Sequence, residues 1–200
     1  MGHSQLEKQK THEKIVALAA RRLREEGLEG IGVADLMKEA GLTVGGFYKH
    51  FASRDELVAE AVQSAVGSWR RRQEEQGIDP TDISLRDYAE EYLSDVHCAN
   101  KGEGCPYAAL SADMARSSET VRTVATEGLR KNFASMTARM PHPDTAEARR
   151  NAIITSCLMT GALSLARVAN DEALSNEILE TVRGFVRALA DDEGQTKAAG

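Results

Sequence analysis

A run of small, hydroxylic and basic residues near the N-terminus carries the chemistry of nucleic-acid recognition. Thr43, Val44, Gly45 and Gly46 are small. On a short helix, such residues let the backbone come close to base edges in a major groove. There Thr43 donates to a base or phosphate oxygen, and Val44 touches a thymine methyl. Tyr48, Lys49, His50 and Arg54 follow, and hydroxyl, ammonium and guanidinium groups are phosphate ligands. Tyr48 also reads as a half-buried packing residue. Lys49 and His50 beside it favour the phosphate role. The start of the helix after Ser53 offers amide groups to a further phosphate.

Three elements must hold this run in place. Ile15, Leu18, Ala19 and Leu23 form one apolar face of a helix that stops at Gly27. Val33, Leu36, Met37 and Ala40 are spaced i, i+3, i+4, i+7, and that helix ends at Gly41. Thr43–His50 is too short to be helical alone and needs the apolar face of its predecessor. Two helices joined by a tight turn containing Gly form a helix-turn-helix unit, a geometry that also occurs in proteins without DNA. Ser53 and Glu56 read as a capping box. The helix they open carries Leu57, Val58, Ala61, Val62, Ala65 and Trp69, and frays before Gly77.

The stretch Gly41-Leu42-Thr43-Val44-Gly45-Gly46-Phe47-Tyr48-Lys49-His50-Phe51-Ala52-Ser53-Arg54-Asp55-Glu56-Leu57 resembles the signature of TetR/AcrR-type transcriptional regulators. The match covers residues 12–60, about a quarter of the chain. The resemblance implies an all-α dimer. Three N-terminal helices would bind DNA, and a larger helical body would bind an inducer and dimerise. It places Thr43 and the exposed part of Val44–Gly46 on the base-reading segment. Tyr48, His50 and Arg54 fall on phosphate contacts, and Phe47 and Phe51 on packing positions. The position before the first motif helix, often Thr or Ser, is Gly32, which follows Ile31. Glycine is a tolerated cap but offers no side-chain phosphate contact. The implied division is 1–54 for the DNA-binding domain, 55–190 for the ligand-binding and dimerisation domain, and a disordered tail over 191–200.

The body reads as further helices. Ser84 caps one carrying Leu85, Tyr88, Ala89, Tyr92, Leu93 and Val96. Cys105-Pro106 opens a short one, and another runs from about Ser118 to Met140. Asp144 and Glu147 look like the cap of a helix over about 145–169, and the last helix spans about 173–190. Gly104-Cys105-Pro106 resembles an element of a subgroup of these regulators. Candidates for an inducer pocket are Trp69, Tyr88, Tyr92, Cys105, Tyr107, Met114, Phe133 and Cys157, with Met136 and Met159 beside them. Such pockets are mostly apolar with a few polar groups. Three of the four Tyr fall between 88 and 107, yet each residue taken singly reads as ordinary core. Trp69 is either a transmitter between head and body or a wedge in their core. Cys98 and Cys105, seven residues apart, are either inert thiols or an oxidant- or electrophile-sensing pair. His97 beside Cys98 invites a metal, but the spacing is not that of a zinc site. Ile154, Leu158, Gly161, Ala162 and Leu165, with Val182, Phe185, Val186 and Leu189, make two helices apolar on more than one face. Two copies would form a four-helix bundle about a two-fold axis. A monomer burying these faces internally is the alternative.

Net charge sharpens the reading. The chain has 200 residues and a net charge of -6, which taken whole argues against a simple basic DNA binder. Residues 1–72 carry 12 Lys+Arg and 10 Asp+Glu, whereas 73–200 carry 13 and 21. The acidity belongs to the body. No apolar run approaches the 18–20 or so residues of a membrane span, and the charged N-terminus lacks the core of a signal peptide. Three Cys suit a reducing cytoplasm. No carboxylate pair, nucleophile triad or phosphate loop points to an enzyme. The expectation is therefore a ligand-responsive repressor without cofactor or metal, whose partners are double-stranded operator DNA, an unknown small-molecule inducer and a second copy of itself. A redox- or electrophile-sensing regulator using Cys98 and Cys105 is the alternative.

Overall fold

The computed structural model describes residues 2–30 and 32–198; Met1, Ile31, Ala199 and Gly200 lie outside it. The described residues form α-helices and no strand. They are α1 (Gly2–Glu26), α2 (Val33–Glu39), a 3-10 segment (Val44–Lys49), α3 (Arg54–Glu75), α4 (Leu85–Tyr92), α5 (Asp95–Ala99), α6 (Pro106–Arg116), α7 (Glu119–Ala138), α8 (Ala146–Val168) and α9 (Glu172–Ala198). The chain falls into two compact units. One comprises Met1–Ser68 and Lys101–Gly128, the other Trp69–Asn100 and Leu129–Gly200.

The first unit is built on the apolar faces read from the sequence. Ile15, Ala19 and Leu23 of α1, Leu36 and Met37 of α2, and Leu57, Val58, Ala61 and Val62 of α3 are buried. Gly27 (φ 83°) and Gly41 (φ 79°) end α1 and α2 in the left-handed conformation, where a Cβ would be strained. Lys101–Gly128 packs with this unit, although division at residue 54 assigns it to the body. The Arg24 guanidinium Nε donates to the Gly102 carbonyl at 2.6 Å. The Tyr107 hydroxyl donates to the Ala125 carbonyl of α7 at 2.8 Å. Burial pushes the Tyr107 phenol well above its usual range.

The second unit is centred on Leu85, Ala89, Leu93, Met136, Met140, Ala148, Ala152, Met159, Ala162, Ala166, Leu179 and Val186. The α8 residues among them lie on one helical face. An 18-residue window of α8 has mean hydropathy 1.3, so by length and composition it meets the span criterion that the sequence reading assigned to no segment. Its buried stripe, from Ala148 to Ala166, is that of a core helix.

Three boundaries differ from the sequence reading. The helix from Leu85 breaks at Leu93, because the Ser94 hydroxyl accepts from the His97 amide and starts α5 anew. The cap of α8 is Thr145, not Asp144: its hydroxyl accepts from the Ala148 amide at 3.1 Å. The last helix does not stop at 190 but continues to Ala198, so only the final two residues of the expected disordered tail lie outside the described part. Thr145→Ala should cost about 1 kcal/mol. Urea unfolding should show this as a lowered midpoint, with Asp144→Ala nearly silent.

Candidate nucleic-acid interface

Phe47 and Phe51 anchor the short segment. Both are about 1 % exposed, and their rings lie 5.4 Å apart. His12 of α1 stacks on Phe51 at 4.6 Å and bonds Glu60 of α3 through Nε2 at 2.7 Å. The Lys14 ammonium donates to the Ala40 carbonyl at 3.0 Å. Three helices thereby hold a segment too short to be stable alone. The Ser53 hydroxyl accepts from the Glu56 amide at 3.1 Å. Glu56 reaches back to the Ala52 amide rather than to that of Ser53, so the expected box is closed one residue earlier.

On this scaffold Thr43, Val44, Gly45, Tyr48 and Lys49 are exposed, and Gly46 and His50 half-buried. Tyr48 is 75 % exposed, which removes the half-buried packing reading. Thr43 stands before the 3-10 segment and makes no capping bond with its hydroxyl. A Cβ on Gly45 would meet nothing within 4 Å, and one on Gly46 only ordinary contacts with Met37 and Thr43. The fold itself therefore does not need glycine at either position. Arg54 differs from its neighbours: it is half-buried, and its guanidinium donates to the Leu28 carbonyl. It also lines a cavity of about 10 Å³ with Ala19, Leu23, Val33, Leu57 and Val58, room for about one water. Gly32 caps α2 through its backbone alone.

Burial holds the His50 imidazole below its usual pKa, and electrostatic repulsion from His12, Lys8 and Lys49 adds to this. A base whose folded pKa is depressed binds its proton more readily when unfolded. Its contribution to stability is present above pH 6.5 and lost as pH falls toward the folded value. Urea midpoints measured from pH 7.5 to 5.5 should fall less in His50→Gln than in the wild type.

The pocket candidates do not form one group. Tyr107 and Met114 are buried in the first unit, where the Tyr107 hydroxyl is engaged as described. Cys105 precedes α6 as its N-cap, with Pro106 in the first turn. Trp69, Tyr88 and Tyr92 belong to the second unit and form an aromatic column. Trp69 meets Tyr88 edge-on at 5.0 Å, and Tyr88 lies 5.8 Å from Tyr92. The Arg139 guanidinium sits 5.1 Å over the Tyr88 ring and 5.7 Å over Trp69, a cation–π arrangement. Phe133 is half-buried with Arg149 over its ring at 5.3 Å. Cys157 is exposed and so is not an inward-facing pocket residue. None of the three thiols is in a disulfide.

The apolar residues of α8 and α9 divide between two faces. Ile154, Leu158, Leu165 and Phe185 are exposed, and a Cβ on Gly161 would meet nothing within 4 Å. Val182 and Leu189 are partly buried against the core. Ala162 and Val186 do not belong to the outward face: they are 4 % and 0 % exposed and lie in the core of their own unit. Val168 and Leu174, which the sequence reading passed over, are exposed at 79 % and 46 %. The signal for Val168 was present, since it continues the spacing from Ile154 through Gly161.

An exposed polar helix-turn-helix segment on a buried three-helix scaffold, in an all-helical chain, is the arrangement of a DNA-binding head. Residues 15–61 match the family model described as bacterial regulatory proteins, tetR family. The chain is 25 % identical to the HTH-type transcriptional regulator LmrA of Bacillus subtilis, over 80 % of this chain and 88 % of that one. Its fold is similar to E. coli NemR in the reduced form, with TM-score 0.73 and 22 % identity over 90 % of this chain and 96 % of that one. A TetR-family regulator from Agrobacterium tumefaciens superposes with TM-score 0.71 and 23 % identity, over 88 % and 97 % of the two chains. The N-terminal helix-turn-helix thus matches the tetR family model, and the chain as a whole has the all-helical fold of TetR-family structures and is similar to HTH-type transcriptional regulators.

Proposed function

We propose that the protein is a ligand-responsive repressor that binds a near-palindromic operator as a homodimer. The observation that carries this is the exposed row Thr43, Val44, Gly45, Tyr48 and Lys49, held on buried Phe47 and Phe51. Thr43 and Val44 read base edges while Tyr48, Lys49 and His50 hold phosphates. Arg54 positions the loop after α1 by donating to the Leu28 carbonyl. The outward apolar face of α8 and α9 supports pairing of two copies. Two heads then reach successive major grooves. An inducer bound in the helical body would favour a conformer with wrongly spaced heads, and operator DNA must weaken inducer binding by the same factor.

A gel shift with the region upstream of the protein's own gene, repeated with Tyr48→Ala, tests the reading. Absence of a complex with any genomic fragment at low salt would overturn it. Gly45→Ala gives a finer check. Because nothing in the fold opposes a Cβ there, stability should change by less than about 0.5 kcal/mol. Operator affinity should fall about tenfold or more, the cost of one good base contact.

Cys105 at the head of α6 supports a second reading, release of DNA by oxidants or electrophiles. Oxidant-sensitive DNA binding that becomes insensitive in Cys105→Ser would support it, and an oxidant-resistant complex would exclude it.

A further inference from the structure

In α1 residues 5–10 are all exposed, and burial begins at Ile15 among the residues from 5 onward. They gain nothing from burial. They are held as helix by local bonds, from Gln9 to Glu13 at 2.9 Å and from the Thr11 hydroxyl to the Glu7 carbonyl at 2.8 Å. What fixes their direction is His12, tied to Glu60 and stacked on Phe51, and Lys14, tied to Ala40. The His12 ring centroid lies 6.0 Å from that of His50. Lys8 is four residues before His12 and therefore one turn further along the same face.

The cations of this unit differ in their use. Lys10 pairs with Glu7, Arg21 with Glu25, Arg22 with Glu26 and Glu39, and Arg24 with Glu103. Lys14 and Arg54 are spent on carbonyls. Lys8 and Lys49 have no ion pair among the described residues, and both act on His50 as like charges. Like charges gathered around one half-buried imidazole oppose its protonation, and an anion joining them would relieve that repulsion.

We infer that Lys8, one turn beyond His12 on α1, joins Lys49 and His50 in holding a backbone phosphate of duplex DNA. This rests on the DNA-binding reading above and extends the interface upstream of residues 15–61, the stretch the family model matches. Lys8 contributes affinity without sequence preference, because a phosphate carries no base information.

The test is the salt dependence of binding by the full chain. The probe is a 30-bp duplex selected from random-sequence DNA with the wild-type protein. Each phosphate contact contributes about 0.9 to the slope of log K against log salt, so a dimer losing two should have a slope shallower by about 1.8. Lys8→Gln should show that loss equally on the selected duplex and on a scrambled one, and Lys8→Arg should restore it. Lys10→Gln, whose ammonium is paired with Glu7, should retain the wild-type slope. A wild-type slope in Lys8→Gln, with Tyr48→Ala still impaired, would overturn the role of Lys8 alone. A loss in Lys10→Gln equal to that in Lys8→Gln would overturn it too, by showing general charge rather than a placed contact. A wild-type protein that selects no duplex would overturn the DNA-binding reading, and this proposal with it.

Discussion

Leu158→Glu should leave the fold intact and abolish pairing. Leu158 is 39 % exposed, on the outward face of α8 with Ile154, Gly161 and Leu165. A carboxylate there stays hydrated in a monomer. Between two copies it would be buried without a partner and face its own symmetry mate, which costs several kcal/mol. Sedimentation should then show a species of 21.7 kDa, where the wild type is expected to sediment at about twice that mass. Operator affinity should fall by about 10²–10⁴-fold, the advantage that tethering two heads supplies. Helix content and thermal midpoint should barely move. Val186→Glu is the contrasting variant. Val186 is 0 % exposed and lies in the core of its own unit, so that change should unfold the body rather than split a dimer. A monomeric wild type, or a Leu158→Glu protein that still sediments as a dimer, would refute the assignment of this face.

Gly128→Ala should destabilise the first unit despite the better helix propensity of alanine. Gly128 lies within α7, where an alanine is ordinarily worth about 1 kcal/mol. Here a Cβ would stand 2.6 Å from Val66 Cγ1 and nearer still to the Tyr107 hydroxyl. The phenol cannot simply swing aside, because it is buried and donates to the Ala125 carbonyl. Overpacking of this kind costs about 1–3 kcal/mol. The net result should be a lowered urea midpoint with an unchanged m-value. Tyr107→Phe alone should cost about 1 kcal/mol for the lost hydrogen bond. In the double variant the missing hydroxyl makes room for the new methyl, so the two costs should sum to more than the measured one. Strict additivity would show that the phenol is not what occupies the space beside Gly128.

The DNA-facing half of the molecule was largely legible in the sequence. Local rules act on it strongly: an i, i+3, i+4, i+7 stripe in α2, glycines ending α1 and α2, and Ser53 opening α3. Each is satisfied by residues close in the chain. The net charge of -6 spoke against nucleic acid only until it was divided by position. The structure sharpens that division further. Within the head most cations are consumed by carboxylates and carbonyls, and Lys8 and Lys49 converge on His50 unpaired.

The body was less legible because its decisions are made across long stretches of chain. Periodicity marks α8 as apolar on more than one face but cannot say which face is covered. Ala162 and Val186 read as partner-facing and are buried, whereas Val168 reads as unremarkable and is exposed. Tyr88 and Tyr107 look alike in sequence. One joins a column under Arg139, and the other is locked into the head's unit by a carbonyl 18 residues away. Nothing near Gly128 in sequence shows that a phenol will lie against it. By itself, then, the sequence determined the all-helical class, the caps and stops of the first helices and the helix-turn-helix segment, since backbone propensity, turn chemistry and amphipathic spacing are local, while the break at Leu93, the Thr145 cap and the extent of α9 escaped it. Only the tertiary structure decided which apolar faces meet, which glycine admits no methyl and which cations remain unspent, because burial and pairing depend on residues that chain distance does not bring together.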